Sequence, residues 1–230
     1  MKKILLIGCF ITLLCLSGCK KSEQTPTEIL SPDAVEFLTP TEILTPTEKW
    51  EKPEALAVLQ WGTYSGAYVE DGSRDAVEKV ACILVKNTTE QYLDYGEVKA
   101  TVGEKTCKFV VTGLPGGASA WVAEEQVQTM EEGEEFTYLE QTVSQLRDLP
   151  QAEGIEILFL NGELQVTNNS DEDYSEIRVY YKQLHSDGNY LGGITYTVTT
   201  GVVEKGQTVQ VTAGHSAEMS CAVVRVDTTE

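Results

Sequence analysis

"LQVTNNSDEDYSEIRVYYKQLHSDGNYLGG", residues 164–193, holds the pattern on which the fold is read. Leu164 and Val166 alternate with polar residues as far as Asn168, a polar turn leads to Tyr174, and "SEIRVYYKQL" (175–184) alternates again. A period of two, in segments rich in Val, Ile and Tyr and bounded by Asn, Asp and Gly, specifies β-strands with one face buried. Since Tyr180 and Tyr181 are adjacent, one of them must face outward. Upstream, "IEILFLNGELQVTN" contains Asn161-Gly162, the strongest short hairpin signal in the chain. Downstream, "GGITYTVTT" (192–200), "QTVQVTA" (207–213) and "CAVVRVD" (221–227) continue the series.

The same pattern occurs earlier. "LVKNTTEQY" (84–92) matches "QVTNNSDEDY" (165–174), which carries one extra residue, and "GLPGGASAWV" (113–122) matches "GVVEKGQTVQV" (201–211). In each copy a strand ends at Asn, a polar turn leads to Tyr, and a Gly turn precedes another alternating strand. Strands are expected at 54–61, 63–70, 78–87, 96–103, 106–113, 118–125 and 135–143, with an amphipathic helical turn also permitted by "LEQTVSQLR" (139–147). Short strands at this spacing specify an all-β chain of sandwiches or barrels. Internal similarity over 80 to 95 residues reads as a tandem duplication, with domains at 54–149 and 150–230 meeting near Leu149 to Gly154.

The stretch 164–193, followed by "VEKGQTVQV", resembles the small FxLYD-type and related immunoglobulin-like domains of bacterial lipoproteins. The resemblance covers roughly 160–227 and more weakly 78–123, and it lacks the aromatic signature that names the family. It implies two tandem immunoglobulin-like β-sandwiches acting as binding or spacer modules, and it carries over no catalytic residue.

The N-terminus supplies location. Lys2 and Lys3 precede an apolar run from Ile4 to Leu14, too short to span a bilayer and suited to a signal peptide at 1–18. Leu16-Ser17-Gly18-Cys19 resembles the lipobox of bacterial lipoproteins, which implies diacylglycerol on Cys19 and cleavage before it. Two or more acyl chains anchor stably, so the expected product is extracytoplasmic and lipid-anchored to the cell membrane. Residues 19–53 carry "TPTEIL" at 25–30 and 39–44, "TPTE" at 45–48, and five of the seven prolines. Proline excludes a continuous helix or central strand, so this is read as a disordered Thr/Pro-rich stalk with a reach on the order of 100 Å when extended.

Charge excludes other classes. The net charge of -19 argues against nucleic acid, whose phosphates need clustered Lys and Arg. No G-x-S-x-G, H-E-x-x-H, P-loop or dinucleotide motif occurs. The two histidines, His185 and His215, fall in loops where solvation is the ordinary state, so no catalytic residue and no cofactor is assigned and a hydrolase is the distant alternative. Asp171 and Asp173, and Asp71 with Asp75, are weak calcium candidates without the EF-hand spacing, and an acidic turn is ordinarily only a turn. Trp61, Tyr64, Tyr68, Trp121 and Tyr180 could furnish an exposed aromatic patch for a glycan or peptide, or could be core. Cys82 points away from core-facing Ile83 and Val85, whereas Cys107 shares a face with Phe109 and Val111. Opposite faces disfavour a Cys82–Cys107 disulfide without removing it. The function these residues support is a non-catalytic binding or assembly module of the envelope, its partner the membrane through Cys19 and an envelope protein or glycan.

Overall fold

The computed structural model describes residues 55–230 except 74, 132, 150, 151 and 218, together with Val35–Glu36. The segments read from the sequence as a signal peptide and a stalk, Cys19 among them, lie outside the described residues apart from those two residues. Val35–Glu36 form a two-residue strand, β1, paired antiparallel with Thr63 and Tyr64. Six strands follow in the first half: β2 (Leu56–Ala67), β3 (Ala76–Asn87), β4 (Tyr92–Val102), β5 (Lys105–Leu114), β6 (Ser119–Ala123) and β7 (Phe136–Arg147). Six more follow in the second: β8 (Ile155–Leu160), β9 (Glu163–Asn168), β10 (Glu176–Leu184), β11 (Tyr190–Thr199), β12 (Thr208–Thr212) and β13 (Cys221–Thr229). The described residues contain no α-helix, and the fold is all-β.

Each half pairs its strands in the same way. In the first, β3 lies between β2 and β6, and β4 between β5 and β7; in the second, β9 lies between β8 and β12, and β10 between β11 and β13. Each half therefore forms two facing sheets around its own core. Alternate residues supply that core: Ile83, Val85, Val98, Phe109 and Val122 in the first, Leu164, Val166, Ile177, Val179 and Tyr181 in the second. Two such layers, each with one apolar face, have their stable solution in face-to-face packing.

The Asn motif is the same device in both copies. Asn87 and Asn168 are fully buried. Asn87 Nδ2 donates to the carbonyls of Gln91 (2.8 Å) and Leu114 (3.0 Å), and its Oδ1 accepts from Thr89 N–H and hydroxyl. Asn168 Nδ2 donates to Glu172 (2.7 Å) and Val203 (3.1 Å), and its Oδ1 accepts from Ser170 N–H and hydroxyl. One amide thus closes the polar turn and ties it to the later Gly turn, which satisfies backbone groups that burial would otherwise orphan.

The halves are joined through a seven-stranded sheet. The edge strand β6 pairs in parallel with β11, Ala120 opposite Tyr190 and Trp121 opposite Leu191. A third buried cluster lies across this seam: Tyr64, Val69, Cys82, Leu84 and Trp121 from the first half, Leu191 from the second. The outer face of the equivalent sheet in the second half is polar on β9 and β12, beside the exposed Leu158 and Leu160 of β8. By strand register, Gln165 stands where the first half has Leu84, Glu163 where it has Cys82, and Gln210 where it has Trp121. The sheet face is apolar in the half where it is covered.

Three local expectations are corrected, and a fourth, that opposite faces keep Cys82 and Cys107 apart, holds. Leu56–Ala67 is one strand running through Gly62, not two, with irregular register after Val58 and Tyr64. Residues 139–147 continue β7 and form no helical turn, because β4 pairs with that segment throughout its length. His185 is buried, not solvated. Cys82 and Cys107 are both free thiols, Cys82 in the seam cluster and Cys107 in the first core, so no disulfide joins them.

Candidate functional site

The two halves meet backbone to backbone at Gly193 of β11. A Cβ placed there would lie 1.7 Å from the Val110 carbonyl oxygen of β5, so only glycine permits the approach. Thr112 and Thr195 lace the same contact: Thr112 Oγ1 donates to the Gly193 carbonyl (3.1 Å), and Thr195 Oγ1 donates to the Thr112 carbonyl (2.8 Å).

Two charged groups are committed to this junction. Glu70, just beyond β2, accepts from the N–H of Ala123 at 2.7 Å and of Gly193 at 2.6 Å. Lys182 on β10 has no exposed surface, and its Nζ donates to the carbonyls of Gly193 (2.9 Å) and Ile194 (2.7 Å). Burial pushes the Glu70 carboxyl up to about 7, while the two N–H donors and the Lys182 charge hold it back. Burial pushes the Lys182 ammonium down to about 7, and the Glu70 charge opposes that. Ions buried this way are held by directed partners, and removing one partner is costly.

A second polar link runs beside the seam. Trp121 Nε1 donates to Asp187 Oδ2 (2.9 Å), and His185 Nδ1 lies 3.0 Å from Asp187 Oδ1. Burial acts to raise the Asp187 carboxyl, but the Trp121 indole, Asn189 and His185 together hold it well below the usual carboxylate range. His185 Nε2 is buried without a hydrogen-bond partner among the described residues, so no nucleophile is engaged by it.

Between the sheets of the two halves lies a cleft of about 220 Å³. The first half contributes Tyr92 and Asp94 from β4 and Thr112 and Gly113 from β5. The second contributes Tyr180 from β10, Thr195 and Thr197 from β11, and Arg225 from β13. Arg225 lies over the Tyr180 ring, 4.5 Å from its centroid, and is paired with Asp227 on its own strand. Asp94 Oδ1 sits 2.6 Å from an Arg147 nitrogen and 3.5 Å from one of Arg225.

The aromatic candidates do not assemble. Tyr64, Tyr68 and Trp121 are each less than 5% exposed, with the hydroxyls of Tyr64 and Tyr68 donating to the carbonyls of Ala67 and Glu124. Trp61 is half-buried and stacked on Phe136, centroids 5.8 Å apart. Tyr180 alone reaches the cleft, while its neighbour Tyr181 is core. Asp171 pairs with Lys205 Nζ, and Asp173 accepts from Lys205 N–H (2.7 Å), so both serve the turn. No group of three or more His, Cys, Asp or Glu among the described residues is arranged to hold a metal ion. The sequence reading missed Glu70, Lys182, Asp94 and Arg225. A lysine inside the alternating "VYYKQL" is the one signal of a buried cation there.

No protein-family profile and no curated protein matches the chain. Among solved structures, the chain is similar to the C-terminal globular domain of an oligosaccharyltransferase from Pyrococcus abyssi, at 10% identity and a TM-score of 0.15. The match covers 76% of this chain and 46% of that one, and at that score it carries no argument about fold or chemistry.

Proposed function

We propose that this chain is a lipid-tethered, non-catalytic binding or assembly module of the cell envelope. Acyl groups on Cys19 hold it to the membrane, and the Thr/Pro stalk at 19–53 lifts two immunoglobulin-like domains, 54–149 and 150–230, away from the surface. The reading of location rests on the signal sequence, Leu16-Ser17-Gly18-Cys19 and the proline repeats. The reading of binding rests on one observation: Glu70, Lys182 and Gly193 lock the halves so that both contribute side chains to a single cleft. A junction fixed in this way presents a partner with preorganised geometry, which lowers the entropic cost of recognition.

Recognition of a carbohydrate or peptide is a second reading. Burial of Tyr64, Tyr68 and Trp121 withdraws the aromatic patch from it, and the cleft with Tyr180 takes that place. The test is metabolic labelling with a clickable fatty-acid analogue, coupled to membrane fractionation and in-cell cross-linking of the full-length chain. Label on the wild type but not on Cys19→Ala, with a discrete cross-linked species in the membrane fraction, is the expected result. Unlabelled wild-type protein in the soluble fraction overturns the tether, and the absence of any cross-linked species overturns the binding role.

A further inference from the structure

We propose that the junction cleft binds one neutral sugar ring, through hydroxyl and carboxylate groups drawn from both halves. This rests on the reading of the chain as a binding module and names the ligand class for its cleft.

Size is the first argument. At about 30 Å³ per water in the liquid, 220 Å³ is the room of about seven waters, which suits one pyranose ring. The floor is the second. Gly113 has φ +58°, and a Cβ there would stand 2.4 Å from Thr195 Oγ1 and 2.6 Å from the Tyr92 hydroxyl. Any other residue would clash with these two cleft-lining side chains, one from each half.

The third argument is the polar groups. The hydroxyls of Tyr92 and Thr197 have no hydrogen-bond partner among the described residues, and both line the cleft. Arg147 and Arg225 both approach Oδ1 of Asp94, and its Oδ2 accepts no hydrogen bond among the described residues. Two donor–acceptor hydroxyls and one free carboxylate oxygen, converging from two sheets, match the alternating hydroxyls of a sugar. An anionic ligand is disfavoured. The two guanidiniums are matched by Asp94 and Asp227, and the whole chain carries -19, so no uncommitted cation awaits a carboxylate or phosphate. Arg225 covers one face of Tyr180, so hydrogen bonds and not ring stacking carry the recognition.

The test is saturation-transfer NMR on the full-length protein in detergent micelles. Glucose, galactose, mannose and N-acetylglucosamine are the neutral probes, and acetate and inorganic phosphate the anionic ones. At least one sugar is expected to give transfer with a Kd on the order of 1 mM, the weak end for a small polar ligand. Tyr92→Phe and Thr197→Ala are each expected to weaken it by roughly 3- to 10-fold, the worth of one hydrogen bond. Thr197 is exposed, so its variant keeps the fold, and Thr208→Ala on the far sheet is expected to leave binding unchanged. Transfer from none of the sugars, transfer from the anions alone, or sugar binding indifferent to both variants overturns the inference. An envelope partner cross-linked to a chain that binds no sugar would sink the sugar while leaving the binding role standing.

Discussion

Asn87 and Asn168 occupy the same place in the two halves, and each side chain bridges its polar turn to the Gly turn of its own half. Replacing either by Ala leaves buried backbone carbonyls without donors, at about 1–3 kcal/mol. For a chain of this size that lowers Tm by roughly 2–12 °C. The shared sheet and the buried junction make the halves one cooperative unit, so both variants are expected to shift a single transition in calorimetry. Two resolved transitions, one moved by each variant, would show the halves unfolding independently.

Glu70 and Lys182 hold that unit together from opposite sides of the junction. Lys182→Met removes the ammonium from the carbonyls of Gly192, Gly193 and Ile194 and leaves Glu70 without a countercharge, an expected cost of about 3–5 kcal/mol. Glu70→Gln keeps one acceptor for the Ala123 or Gly193 N–H, and its cost is expected to be smaller, about 1–3 kcal/mol. The double variant should cost less than the two added together, because neither side then buries a lone charge. Denaturant unfolding of all four forms measures the cycle; strict additivity would mean that the two groups do not feel one another.

Asp187 sets the behaviour in acid. Its carboxyl is held below the ordinary value of 3.8 in the folded state, so the folded chain binds that proton less readily than the unfolded one. The stabilisation is therefore fully present above about pH 4 and is lost as pH falls further. Asp187→Asn should be less stable than the wild type at pH 6, with the gap closing between pH 4 and pH 2. Trp121→Phe, which deletes the indole donor, should narrow the same gap. Unfolding curves across that range decide it, and a gap independent of pH would remove the carboxylate from the account.

The duplication, the Asn-Gly hairpin and most strands were legible because each is local chemistry written within about ten residues. Asn161 and Gly162 indeed take left-handed φ values of 49° and 86°. The face assignment of Cys82 and Cys107 followed from alternation alone. What alternation cannot tell is whether a second apolar face meets solvent or another sheet. Tyr64 and Trp121 were therefore ambiguous until β6 was seen to pair with β11. Glu70 was beyond reach for another reason: its partners Ala123 and Gly193 lie far along the chain, and nothing near Glu70 marks it as buried. His185 sits between hydrogen-bonding residues in a hairpin loop, which reads as solvated, yet Trp121 and Asp187 draw it inward.

Thiol chemistry offers a direct check on the cores. Burial pushes the Cys107 and Cys221 thiols up to about 11 and the Cys82 thiol higher than its ordinary value. All three are expected to resist iodoacetamide at pH 8 in the native protein, because the thiolate is the reactive form. They should react once the chain is unfolded, without prior reduction. Rapid native labelling of Cys82 would mean that the seam opens.

The contrast between the two outer sheet faces gives the sharpest test of the architecture. Leu84 and Trp121 are covered by the other half, whereas Gln165 and Gln210 hold the equivalent register positions on a face that no other sheet covers among the described residues. Trp121→Gln writes the second half's residue into the first. It removes a fully packed indole and places an amide in the seam, at about 3–5 kcal/mol. The reverse exchange, Gln165→Leu with Gln210→Trp, alters no buried contact and should leave the unfolding midpoint nearly unchanged. It would instead put a leucine and a tryptophan side by side on an exposed sheet, close to Leu158 and Leu160, which are already exposed. A contiguous apolar patch of that kind drives association. Light scattering is therefore expected to show self-association in the reverse variant and none in Trp121→Gln. If the first half tolerated glutamine at 121, the seam would not be what joins the halves, and the cleft between them would lose its fixed geometry.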